Sequence, residues 1–139
     1  MSISRVSALL LGVVIIIFGI FGFLQYFTPD GVLFGVFQVD LIHNLIHVIS
    51  GLIGIIAAIP NQRRYAAWYI LEMGLIYGAI TIIGFLLNGD VFGFVFFNLN
   101  DNLLHAGITG IAFIMCIVIL LERPEQYTGI ALNGQAPRS

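Results

Sequence analysis

The chain has no lysine, a single cysteine at Cys116, and only nine per cent charged residues in a length of 139. So little charge excludes an ordinary water-exposed surface. A net charge of −2 with no basic cluster excludes a nucleic-acid partner. One cysteine excludes an internal disulfide and any multi-cysteine metal site. There is no glycine-rich phosphate loop, no nucleophile elbow, no Glu-x-x-His pair and no serine or aspartate pair in an apolar run. The expectation is a protein that is not an enzyme.

What the chain has in abundance is apolar side chains, at 60% of residues. A helix needs about 20 of them to cross the hydrocarbon, and four runs reach that length, roughly 6–27, 41–59, 65–87 and 103–121. Backbone groups in lipid must pair within their own segment, so the runs are helices. The fold expected is all-α, a polytopic four-helix bundle in one domain over 1–121, followed by a flexible cytoplasmic tail over 122–139. The first run lacks a small-residue cleavage site before Pro29 and reads as a retained helix. Arg5, Arg63, Arg64, Arg123 and Arg138 all flank one side of these runs, while the loops on the other side carry Asp30, Asp40, Asp90 and Asp101. The positive-inside rule then places both termini in the cytoplasm, in an inner or equivalent energy-transducing membrane.

The chain also repeats itself. Phe34-Gly35 and Asp40-Leu-Ile-His43-Asn44-Leu-Ile-His47 recur as Phe92-Gly93 and Asn98-Leu-Asn-Asp101-Asn102-Leu-Leu-His105, without a gap, at an offset of 58. Two parallel repeats of two helices, about 6–59 and 65–118, follow from this, related by a pseudo-twofold axis along the membrane normal. The apolar segments 31–39 and 90–98 are too short to span. They lie in the interface or dip in and return, and their composition fits both.

Small residues mark the faces that pack. Ser4, Ala8, Gly12 and Gly19 share one face of the first run, Gly74 and Gly78 one face of the third, where neighbouring helices can approach closely. Glu72 falls with Trp68, Ile76 and Ala79 on another face of the third run, which suggests a second surface that avoids lipid, set against a partner. Alternatively, Glu72 is the titrating group of a small proton- or cation-linked transporter, or simply snorkels to the nearby aqueous boundary.

The polar residues of the repeat carry the remaining candidates. His43, His47, Asp101 and His105 occupy i and i+4 positions on two related helices, a ligand set that zinc accepts. A second reading makes His47 and His105, with Asn44 and Asn102 beside them, the ligands of a haem or of chlorophyll-type pigments. A third takes all of them as hydrogen-bonding groups that lock helices together, at about 1 kcal/mol for each bond.

With its doubled Asn-x-x-His arrangement after a Phe-Gly loop, the chain from about residue 5 to 121 resembles a widespread bacterial family of small four-helix membrane proteins classified as a domain of unknown function. The resemblance implies the four-helix fold and an existence either as a free oligomer or as an accessory subunit. The function expected from all of this is a non-enzymatic accessory or scaffold protein in the lipid bilayer, packing against itself in a homo-oligomer or against a larger membrane complex.

Overall fold

The structure is a computed structural model that describes residues 1–121. The expected tail, 122–139, lies outside the described residues. Four helices, α1 (Ile3–Phe23), α2 (Leu41–Ala58), α3 (Arg63–Leu86) and α4 (Leu99–Leu121), are each long and apolar enough to cross a membrane. They form a bundle in which α1 lies along α2 and α3 along α4, the two pairs meeting chiefly through α1 and α3.

The helix bounds differ from the hydropathy runs where polar capping intervenes. The first run was expected to reach Phe27, but α1 stops at Phe23, where Leu24 turns extended. The chain then folds back, with Phe27 stacked edge-on against Phe21 and Phe34. The fourth run was expected to start at 103; α4 begins at Leu99 because the Asn98 and Asp101 side chains each accept the other's backbone N–H. Asp40 caps α2 by accepting the His43 N–H at 2.8 Å.

Packing within each pair rests on glycine. A methyl group at Gly12 would meet the Gly51 carbonyl oxygen at 2.7 Å, and one at Gly51 would meet that of Gly12 at 2.6 Å, so α1 and α2 touch backbone to backbone. Between α3 and α4 the approach is looser, with Gly74 against Ala112 and Phe113 and Gly78 against Thr109. At the other end of the bundle from the hairpins described next, Arg5 donates to the carbonyl oxygens of Ala58 and Ile59 and to the Asn61 side chain. A cation there satisfies the open carbonyls that terminate α2.

Both apolar segments fold as hairpins. Residues 31–39 fold as a hairpin of β1 (Val32–Leu33) and β2 (Phe37–Gln38), and residues 90–98 as one of β3 (Asp90–Val91) and β4 (Val95–Phe96). Both turns put two successive residues at positive φ, Phe34 and Gly35 at 53° and 70°, Phe92 and Gly93 at 56° and 71°. That conformation matches the twist of the flanking strands. The hairpins obey the 58-residue offset strand for strand. The first helix of each pair does not, because Gly12 and Gly22 correspond in packing to Gly74 and Gly84, an offset of 62. Four fewer residues connect α3 to its hairpin, in the stretch where the first copy carries the Leu24–Phe27 turn.

Candidate functional site

The site lies where α2 and α4 begin, beneath the hairpins. Its position follows from helix phase. In α2 the polar and small residues His43, Asn44, His47, Gly51, Gly54 and Ala58 recur at three- and four-residue spacing, and all are buried while Leu45, Ile49, Leu52 and Ile56 face outward. α4 repeats the pattern with Asp101, Asn102, His105 and Ala112.

His43, His47 and His105 converge. Their exposures are 3%, 6% and 2%, and one ring nitrogen from each lies within 4.8 Å of the other two. The His43 ring is 4.6 Å from His47 and 5.6 Å from His105, centroid to centroid, and His47 is 6.0 Å from His105. Two further rings close the cluster. Phe97, from the end of the second hairpin, stands edge-on at 5.0 Å from both His43 and His105. Tyr77, from α3, lies 5.3 Å from His105 and 6.2 Å from His47.

The cluster's polar atoms have nowhere to go. Both ring nitrogens of His43, Nε2 of His47, Nδ1 of His105 and the Tyr77 hydroxyl are buried without a hydrogen bond of good geometry among the described residues, the Gln38 backbone standing beside His43 and Ser50 beside the Tyr77 hydroxyl. Each such atom costs on the order of 1–3 kcal/mol unless something binds it. A zinc-sized ion needs nitrogen at 2.0–2.1 Å, which sets tetrahedral ligand atoms roughly 3.4 Å apart. The three side chains would have to close a 4.8 Å spread to that distance. The donor set therefore fits an ion such as zinc or copper, both of which accept neutral imidazole. It does not fit a macrocycle, because His43, Phe97 and Tyr77 fill the space around the His47–His105 axis.

The fourth ligand expected, Asp101, does not join them. Its Oδ2 accepts from the Asn98 and Gln38 backbones at 2.7 and 3.0 Å, tying the start of α4 to the first hairpin. Asp40 makes the reciprocal link, accepting from Phe96 of the second hairpin at 3.1 Å. Each hairpin is thus pinned to the helix of the opposite repeat, and a carboxyl group stands near the site on either side, offering charge to offset a bound cation.

Asn44 and Asn102 sit apart from the cluster's rings. Each is buried with its Oδ1 unpartnered, and each lies against a glycine of the neighbouring helix, Asn44 on Gly22 and Asn102 on Gly84. Gly74 and Gly78 are spent on α4, while Trp68, Glu72 and Ala79 remain on the outside of the bundle. Sequence reading did not place Tyr77 and Phe97 in the site. Phe97 ends an aromatic run that sequence alone does not aim, and Tyr77 comes from a helix whose register differs from the rest of the repeat by one turn.

A bundle of four spanning helices with a polar cluster sealed beneath loops at one end defines a class, the small integral membrane proteins. Residues 5–119 match the family model described as Domain of unknown function (DUF4383), and the chain belongs to that family. No curated protein and no solved structure matches it.

Proposed function

We propose that this protein is a small, non-enzymatic membrane protein that holds one transition-metal ion, of the zinc or copper kind, on His43, His47 and His105. The observation that carries the reading is the convergence of three buried imidazoles, four of whose six ring nitrogens have no hydrogen-bond partner among the described residues. Three histidines leave one position of a tetrahedron open, and water or the Tyr77 hydroxyl completes it. The hairpins exclude bulk solvent, and their hydrogen bonds to Asp40 and Asp101 hold the helix starts that carry His43 and His105.

We infer an accessory role, within a homo-oligomer or a larger membrane complex. α4 is the least buried of the four spans, and Gly107 and Gly110 on it have open space where a side chain would stand. Such a surface lets another membrane helix approach closely. With the arginines cytoplasmic, the metal centre belongs to the outer half of the membrane.

The test is elemental analysis and an absorption spectrum of native protein extracted in mild detergent. The expected outcome is about one metal ion per chain, falling at least tenfold in His47→Ala and His105→Ala. Metal-free protein, or unchanged content in both variants, would overturn the reading. A Soret or chlorin band that disappears in both would instead establish the tetrapyrrole alternative.

A further inference from the structure

The second place where the molecule leaves chemistry unanswered is at the opposite end, on the outer surface between α2 and α3. A groove of about 660 Å³ runs there, walled by Ile53, Ile56, Tyr65, Trp68 and Tyr69 and ending at Glu72. That volume falls in the range of sites for drug-sized ligands.

Glu72 is exposed on a spanning helix, and among the described residues it has no hydrogen bond and no ion pair. It stands nine residues into α3 from Arg63, about 13 Å along the axis, deeper than the level of lipid headgroups. An acid facing hydrocarbon at mid-helix costs on the order of 2.5–3.5 kcal/mol. Within the same groove Trp68 keeps 62% of its surface open, Tyr65 is exposed with the Arg64 guanidinium lying over its ring at 4.9 Å, and Tyr69 is buried against Gly54 and shows only an edge. A carboxylate beside the open Trp68 ring recognises an organic cation, by charge and by cation–π attraction together. Apolar walls of isoleucine select one with a hydrophobic body.

We propose that this groove is a binding site for a lipophilic organic cation, with Glu72 as its counter-charge and Trp68, beside Tyr65, as its aromatic wall. The site is independent of the histidine cluster, since it lies at the other end of the bundle and shares no residue with it.

Trp68 is the one tryptophan in the chain, so its fluorescence reports on the groove directly. Purified full-length protein in nanodiscs of phosphatidylglycerol would be titrated with tetraphenylphosphonium, and separately with uncharged triphenylphosphine oxide. The expected result is a saturable change in emission with the cation alone, weakened at least tenfold in Glu72→Gln and several-fold in Tyr65→Leu, with the melting temperature of both variants unchanged. An equal response to the neutral compound, or an unaltered affinity in Glu72→Gln, would overturn the proposal in favour of simple partitioning. Loss of the cation response in phosphatidylethanolamine discs would overturn it in favour of a lipid ammonium group. A wild-type protein that ignores the cation and runs as a dimer, which Glu72→Gln dissociates, would assign the groove to a second copy.

Discussion

Gly22 and Gly84 show how much one side chain decides in a membrane core. A methyl group at either would land on the amide of Asn44 or Asn102, so glycine is what allows α1 to pass over α2, and α3 over α4, at the depth of the histidines. There is little hydrophobic drive between helices in lipid, and close packing carries the association. Gly84→Ala and Gly22→Ala are therefore expected to cost about 1–3 kcal/mol through overpacking, seen as a lower melting temperature in detergent. The same residue scale holds the ligands. Replacing His43 by Ala is expected to weaken metal binding strongly, while Asn44→Ala leaves metal content intact, because the Asn44 amide packs on Gly22 rather than into the ring cluster.

Between residues and the whole stand the hairpins, and their hydrogen bonds cross. Asp101 opens α4 but holds Gln38 of the first hairpin, and Asp40 opens α2 but holds Phe96 of the second. A hydrogen bond to a charged acceptor contributes about 1.5 kcal/mol, roughly tenfold in an opening equilibrium. Amide exchange should reveal the crossing: Asp101→Ala speeds exchange at Gln38 about tenfold and leaves Phe96 protected, and Asp40→Ala does the reverse. Matching changes in both hairpins from either substitution would mean that the hairpins open as one unit instead.

For the molecule as a whole, the proposed metal centre would link the two repeats. His43 and His47 come from one and His105 from the other, so an ion held by all three joins α2 to α4 where their backbones make few direct contacts. Ligand bound only by the folded state at 100 times its Kd adds about 2.7 kcal/mol. Chelation is expected to lower the melting temperature of the native protein, and re-addition of the ion to restore it. The sign of the pH effect follows from the same ligands. Imidazole must be neutral to bind metal, so acidification releases the ion, and the stabilisation by metal disappears at low pH. A melting temperature indifferent to both chelator and acid would contradict a metal link between the repeats.

The number of helices, their approximate bounds and the pairing of the two halves were legible in the sequence, because lipid imposes one strong rule on composition and length. So were the packing faces of α1, α2 and α4, since small and polar side chains recur on them at helical spacing and have no place against lipid. The hairpins were hidden. Their turns use Phe-Gly in place of the usual Asn-Gly, and two-residue strands leave almost no periodic trace. The one-turn slip of α3 was hidden too, since apolar spans constrain register weakly. At that offset Tyr77 takes the buried place that Ile15 takes on α1, and the hairpin is what brings Phe97 over the histidines. The sequence by itself determined a four-span protein with polar residues gathered at one depth. The tertiary structure alone decided that three histidines meet while Asp101 turns away to a backbone N–H, because a carboxyl group at a helix start finds local donors before it finds distant ligands.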